Sequence, residues 1–229
     1  EDGLGAVPAT PEAGADNLYV SNGVVRAGNA NFTLPPNRGI HVAAGTGGME
    51  LHPWGGYSMT VAGNLSGSGP ITVTDTGWVT FGGAANTYSG LLDISGGRNI
   101  RIGDGANFSW SPSGTFTLNG MLALKSDGSV AFSNALAGAG SLRKEGSGDL
   151  TLSGSKTYSG ITYVDAGSLK VAATNVLPRG SGKGVVEIAA GARLEANGAD
   201  LLVGGLQGVG AVTNSPATPA TLYLGETNV

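Results

Sequence analysis

The sequence predicts an all-β fold, a right-handed parallel β-helix with about three coils in each repeat of about 70 residues. The chain resembles itself at that interval, and its hydrophobic residues fall in short alternating runs such as "LTL" at 150–152 and "VVEI" at 185–188. Gly, Asn, Asp and Ser fill the gaps between these runs, as turns require. No window shows a sustained helical period, so we expect almost no helix. Parallel crossovers are nearly always right-handed, which predicts the sense of winding.

The repeats are visible as three related segments that begin near residues 65, 136 and 206. "LSGSGPITV" begins at Leu65, "LAGAGSLRK" at Leu136 and "LQGVGAVTN" at Leu206, and "NTYSG" (86–90) recurs as "KTYSG" (156–160). A propeller blade takes about 40–50 residues and fits this period poorly. A solenoid coil of roughly 20–25 residues, stacked at the ~4.8 Å strand spacing, fits it three times.

The domain organisation predicted from these repeats is a single β-helix fragment over residues 18–229, preceded by an irregular segment or linker at 1–17 that contains Pro8 and Pro11. The third repeat reaches Val229 before its Tyr-Ser-Gly turn, which predicts that repeats continue beyond this point in the native protein. An uncovered terminal coil is a template for strand pairing, so weak end-to-end self-association is expected, alongside packing against neighbouring repeats of the same chain.

Composition excludes several classes of protein. Hydrophobic residues make up 40% of the 229 residues and the net charge is only −4, which argues against a disordered chain. There is no run of Lys or Arg, so no nucleic-acid partner is expected. The chain has no cysteine, hence no disulfide or thiolate metal site, and no apolar run long enough for direct membrane insertion.

The segment 136–171 resembles the autotransporter-associated β-strand repeat, also called the passenger-associated transport repeat. The copy at 65–98 departs from the pattern, with Val73-Thr74 near the family's Lys and Leu92 in place of Thr162. The matching positions that we take as fold-defining are Leu136, Gly138, Gly140, Leu142, Gly148, Leu150, Leu152, Gly154, Tyr158, Gly160, Val164, Gly167 and Leu169. The pattern is also matched at Lys144, Gly146, Thr157, Ser159 and Thr162.

The resemblance implies a β-helix in a secreted bacterial protein, often the passenger of a type V secretion system. It implies a location at the cell surface or outside the cell, reached through the periplasm of a Gram-negative bacterium. It implies no particular activity. We therefore expect a non-enzymatic structural or adhesive module, a stalk fragment of a larger passenger that contacts host or bacterial surface glycans or proteins.

The alternative is a polysaccharide-active lyase or hydrolase built on a β-helix. Its best candidates for acid–base chemistry are Asp93, Arg98, Arg101 and Asp104, which a solvated strand face explains as well. His41 and His52 lack the spacing of a zinc site, so surface roles are expected for both. Glycine-rich segments fail the nucleotide-binding patterns. No catalytic residue, metal or cofactor is expected.

Three tryptophans are candidates for ligand contact. Val79 and Phe81 should point inward like Leu150 and Leu152, and alternation then turns Trp78 outward. Trp54 and Trp110 fall in loop-like contexts. Each ring could stack on a glycan or a protein, or simply pack on the rod. Lys156, in the turn after Leu152, is expected to be exposed.

Overall fold

The fold is a parallel β-solenoid, described by a computed structural model over residues 18–28, 30–45, 47–94, 97–110 and 116–225. Those residues form no α-helix and a single 3-10 turn at Trp54–Gly56. The expectation for 1–17 lies outside the described residues. In chain order the strands are β1 (Leu18–Val20), β2 (Gly23–Ala27), β3 (Phe32–Leu34), β4 (Ile40–Val42), β5 (Met49–Pro53), β6 (Met59–Val61), β7 (Leu65–Gly67), β8 (Ile71–Val73), β9 (Trp78–Phe81), β10 (Leu92–Ile94), β11 (Asn99–Gly105), β12 (Phe116–Leu118), β13 (Met121–Ser126), β14 (Val130–Phe132), β15 (Leu136–Ala137), β16 (Ser141–Glu145), β17 (Asp149–Leu152), β18 (Thr162–Val164), β19 (Ser168–Val171), β20 (Val185–Ile188), β21 (Arg193–Glu195), β22 (Leu201–Val203), β23 (Gly205–Gly208), β24 (Ala211–Thr213) and β25 (Leu222–Leu224).

The strands stack into three faces, and the strand pairs within the described residues are all parallel. Face 3 is a continuous ladder of nine strands, one from each of about nine turns: β3, β6, β9, β11, β13, β16, β18, β20 and β23. Chain order assigns β1, β4, β7, β14, β17, β19, β21 and β24 to face 1, and β2, β5, β8, β10, β12, β15, β22 and β25 to face 2. The predicted all-β parallel solenoid is confirmed; its right-handed sense stays a prediction of the crossover rule.

The core is a set of apolar ladders that run along the axis inside the rod. On face 3, Leu142 lies between Leu122 and Thr162, and on face 1, Leu152 lies between Phe132 and Val171. Along most strands buried residues alternate with more exposed ones, because successive side chains point to opposite sides of the strand. The fold-defining apolar positions are all buried: Leu136, Leu142, Leu150, Leu152, Tyr158, Val164 and Leu169.

The repeat and the turn do not have the same period, so successive repeats are rotated about the rod axis. Leu65 lies on face 1, Leu136 on face 2 and Leu206 on face 3. Between Leu65 at the start of β7 and Leu136 at the start of β15 the chain passes through ten face segments, namely the eight strands β7 to β14, residues 86–90 and the segment around Ser109. Ten segments over three faces make three and one third turns. Each repeat is therefore turned by a third of a revolution and raised by about 16 Å relative to the one before, at ~4.8 Å per turn.

Glycine is required at the corner where successive turns touch through their backbones. A Cβ on Gly140 would lie 2.1 Å from the carbonyl oxygen of Gly120, and a Cβ on Gly160 would lie 2.3 Å from that of Gly140. Gly154 is needed for a second reason as well, because its φ of 71° belongs to the left-handed region and a Cβ there would lie 2.3 Å from the carbonyl oxygen of Ser133. Both reasons account for glycines that the repeat pattern retains.

Two lysines are buried, and their amino groups donate hydrogen bonds to backbone carbonyl oxygens at corners of the solenoid. This contradicts the expectation that Lys156 is exposed. Lys156 is 2% exposed, and its Nζ donates to the carbonyl oxygens of Asn134 (2.8 Å), Ser153 and Gly154 (3.3 Å). Burial lowers the pKa of Lys156 to about 8. Lys144 behaves alike, because its Nζ donates to carbonyl oxygens at two neighbouring corners and burial lowers its pKa. The exposed-turn interpretation was wrong because the aliphatic stem passes through the core before its charge reaches the carbonyls.

In the first repeat, an asparagine amide donates to the corner carbonyls in place of the lysine amino group. Asn86, at the position of Lys156, is 5% exposed. Its Nδ2 donates to the carbonyl oxygens of Gly83 (3.2 Å) and Ser109 (2.8 Å), while its Oδ1 accepts the N–H of Leu65 at 2.7 Å. Gly83 corresponds to Ser153 in the next repeat, so the carbonyl three residues upstream is satisfied in both copies.

The tyrosine of each Tyr-Ser-Gly turn lies wholly inside the rod, where its hydroxyl needs a partner. Tyr158 Oη lies 2.5 Å from Thr162 Oγ1. The first copy has Leu92 at that position, and Tyr88 instead donates to the carbonyl oxygens of Gly69 (2.7 Å) and Leu91 (2.8 Å). Burial raises the pKa of both tyrosines well above the ordinary value.

Tyr158→Phe is expected to lower the free energy of unfolding by about 1–2 kcal/mol, because it leaves the buried Thr162 hydroxyl without a partner. In a Thr162→Val background the same change should cost clearly less, which a double-mutant cycle by urea denaturation measures. Tyr163→Phe is the matched control. Tyr163 lies next to Thr162 on the outer side of β18, and its substitution should cost under about 0.5 kcal/mol. Strict additivity of the two core changes would show that the hydroxyl pair contributes nothing.

Candidate functional site

The four residues proposed for acid–base chemistry do not converge. Asp93 lies on the outer side of face 2, whereas Arg101 lies on face 3 and is held by Glu145. Arg98 precedes that strand, and Asp104 accepts the backbone N–H of the corner that follows it. An acid–base pair needs two groups directed at one substrate atom, and these four residues do not provide it.

The carboxylates with resolved shifts are biased towards the ionised form. A hydrogen bond from the Thr76 backbone N–H holds the pKa of Asp75 below its ordinary value, and one from the Ser147 N–H does the same for Asp127. A general acid requires the opposite, a carboxyl whose pKa is raised towards neutrality. Asp75 and Asp127 therefore lack the raised pKa of a general acid.

The two histidines take part in stacked pairs on the outer surface of the first turns. His41 stacks on Tyr19, with ring centroids 5.2 Å apart, and its Nδ1 lies 3.0 Å from Ser66 Oγ. His52 stacks on Trp54 and lies 3.0 Å from Asp75 through its Nε2. Within the described ranges, no set of three or more His, Asp or Glu side chains is arranged to hold a metal ion.

Trp78 points outward, as alternation predicts, and its ring is covered by an arginine of the next turn. The guanidinium carbon of Arg101 lies 4.5 Å from the ring centroid. The same guanidinium binds Glu145 through two hydrogen bonds of 2.7 and 3.1 Å. The three residues therefore connect several turns of face 3. Arg101 and Glu145 are 44 positions apart in the sequence, so no local sequence pattern indicates their contact.

Trp110 packs against the core. Its ring lies within 6 Å, centroid to centroid, of Phe81 (5.9 Å), Tyr88 (5.7 Å) and Phe116 (5.6 Å). These contacts favour packing on the rod over ligand contact for Trp110. It covers the stretch where face 1 has no strand between β7 and β14.

Trp54 is the tryptophan with an open ring. It is 49% exposed and follows β5 at the corner between faces 2 and 3. The His52 ring stacks on it at 5.8 Å with an angle of 18° between the planes. Asp75 fastens the arrangement, because its Oδ2 binds His52 Nε2 at 3.0 Å and accepts the Gly55 N–H at 3.4 Å. Glu50, on the same strand as His52, completes the cluster and accepts a hydrogen bond from the next turn.

The resulting site is a preorganised aromatic surface beside two carboxylates, which we call the Trp54 platform (Glu50, His52, Trp54 and Asp75). It can stack on a flat or apolar ligand group and accept hydrogen bonds at its edge. The equivalent corners of the next repeats, at 127–129 and 196–200, contain no aromatic residue, so the repeat itself does not require the ring. The residues from 18 to 225 that the structure describes include no helix suited to crossing a bilayer.

Comparison with known proteins identifies the repeat. The family model described as passenger-associated-transport-repeat matches residues 71–98 and 142–171. The adhesin BmaC autotransporter of Brucella suis biovar 1 (strain 1330) is 38% identical over 100 residues, which is 43% of this chain and 3% of that protein. The chain thus corresponds to a small part of the length of this relative. No solved structure matches the chain.

Proposed function

We propose that this chain, which matches the passenger-associated transport repeat over residues 71–98 and 142–171, acts as a surface-exposed rod, a structural and adhesive module of a larger secreted passenger. The observation that carries the proposal is the uninterrupted ladder of nine strands on face 3, into which the two matched repeats are integrated. A solenoid whose turns contact only their neighbours can be lengthened by repetition, so it suits a stalk.

The arrangement of side chains on the outer surface supports an adhesive role more than an enzymatic one. The candidate acid–base residues are spread over different faces, and Arg101 is engaged by Glu145. The Trp54 platform instead offers a fixed aromatic surface at the outside of the rod. We therefore propose contact with another molecule without a chemical step.

Surface display is tested with the full-length native protein in its Gram-negative host. An epitope inserted after Ser181, in the exposed corner between β19 and β20, should be detected by antibody on intact cells. A periplasmic protein that stays undetected until lysis controls for membrane integrity. Detection of the epitope only after lysis would contradict surface exposure.

A further inference from the structure

The outer surface twice uses the same three-part arrangement of an aromatic ring, an arginine and a carboxylate. Trp78, Arg101 and Glu145 form the first on face 3. In the second, the guanidinium carbon of Arg143 lies 4.9 Å from the Tyr163 ring centroid, and its Nη1 lies 3.3 Å from an Asp165 carboxylate oxygen. In both, the guanidinium is attracted to the ring face while the carboxylate neutralises its charge.

The Trp54 platform has the ring and the carboxylates but lacks the arginine. Between residues 18 and 225, apart from the gaps stated above, no Lys or Arg side chain lies over the Trp54 ring. His52 covers one face of the Trp54 ring, and Trp54 is still 49% exposed. The side chains of Glu50 and Asp75 are 40% and 23% exposed, so both carboxylates can be reached from solvent.

The charge balance favours a cation from outside. Glu50 and Asp75 carry two negative charges, and the hydrogen bond from Thr76 keeps Asp75 ionised by lowering its pKa. Arg26, exposed and opposite His52 in the register of the preceding turn, brings one positive charge to the neighbourhood. The two carboxylates therefore outnumber the one arginine beside the open indole face. An anionic sugar would be repelled here, and a neutral one would gain nothing from that charge.

We propose that the open face of Trp54 binds an arginine side chain of a partner protein, attracted by the negative charge of the neighbouring carboxylates of Glu50 and Asp75. Arginine fits better than lysine because its planar guanidinium stacks on an aromatic ring. This assignment rests on the proposed adhesive function for the presence of an external partner. It adds the chemistry of that partner and the residues that recognise it.

The test is an NMR titration of the 15N-labelled 229-residue protein, which gives one indole N–H signal for each of Trp54, Trp78 and Trp110. Single Trp→Phe variants assign the signals. The probe is N-acetyl-arginine amide, and its neutral counterpart N-acetyl-citrulline amide is the matched control. Only the arginine probe should shift the Trp54 signal, and the Trp78 signal, whose ring Arg101 already covers, should stay in place.

A variant isolates the role of the carboxylate. Glu50→Gln keeps the oxygen that Thr74 donates to but removes the charge, so it should weaken binding of the arginine probe at least about threefold. Raising the salt concentration should weaken binding in the unchanged protein as well.

Three outcomes would overturn the proposal: no shift of the Trp54 signal, equal shifts with citrulline and arginine, or a shift with methyl galactoside or methyl glucoside but not with arginine. The last would identify the platform as a glycan site. Each leaves surface display untouched, because that is decided separately by the epitope on intact cells.

Discussion

Leu152→Asp is expected to lower the free energy of unfolding by more than about 4 kcal/mol, the largest effect of any single change considered. Leu152 has no exposed surface and lies in the face 1 ladder between Phe132 and Val171. The substitution removes a buried leucine and places a carboxylate among apolar neighbours. Urea denaturation followed by far-UV circular dichroism measures the loss.

Thr151→Asp is the matched control, one position away on the outer side of the same strand. Its neighbour on the next turn is Lys170, so a carboxylate there meets a cation and should change stability by less than about 0.5 kcal/mol. If Leu152→Asp prevents folding altogether, Leu152→Ala should still fold and lose about 2–5 kcal/mol. Equal losses at positions 151 and 152 would mean that the assignment of inner and outer residues is wrong.

The inner and outer assignment could be predicted from the sequence because it depends only on the two-residue period of a strand. Val79 and Phe81 point inward and Trp78 outward, as that period requires. The rotation between repeats could not be predicted in the same way. The rotation depends on how many turns of the solenoid one 70-residue repeat occupies. The length of a turn is seen only in the strand register, for example in the 20 residues between the paired Leu122 and Leu142.

The contacts that cross several turns were also beyond sequence reasoning. Arg101 and Glu145 are 44 positions apart and meet only because the solenoid brings their turns together on face 3. Trp54 and Trp110 look alike in sequence, since both lie in polar, glycine-containing surroundings. The structure distinguishes them because one ring packs against three core aromatics and the other remains half exposed.

The rotation of the repeats has a consequence for adhesion. If further repeats carry features like the Trp54 platform, equivalent features of successive repeats point in three directions, and the original direction returns after three repeats, about 210 residues. A rod of this kind presents its contacts around its whole circumference. Partners bound to neighbouring repeats would be separated both by about 16 Å along the axis and by a third of a revolution.

Lys156→Ala is expected to destabilise the protein by about 3 kcal/mol, although the residue lies in a glycine- and serine-rich turn. The change removes the amino group that donates to the carbonyl oxygens of Asn134, Ser153 and Gly154. A buried carbonyl that loses a donor costs free energy that the unfolded chain, solvated by water, does not lose. The effect should appear in urea denaturation and as faster amide exchange at the neighbouring turn.

Two further variants make this expectation specific to the corner. Lys170→Ala removes a lysine from an outer ion pair with Asp149 and should cost under about 1 kcal/mol. Lys156→Asn introduces the residue that the first repeat has at this position, where Asn86 donates to the carbonyl of Gly83. Because an amide can reach the equivalent carbonyl of Ser153, the loss for Lys156→Asn should fall between those of the two alanine variants. A loss from Lys156→Ala no greater than that from Lys170→Ala would show that the buried amino group does not hold the corner.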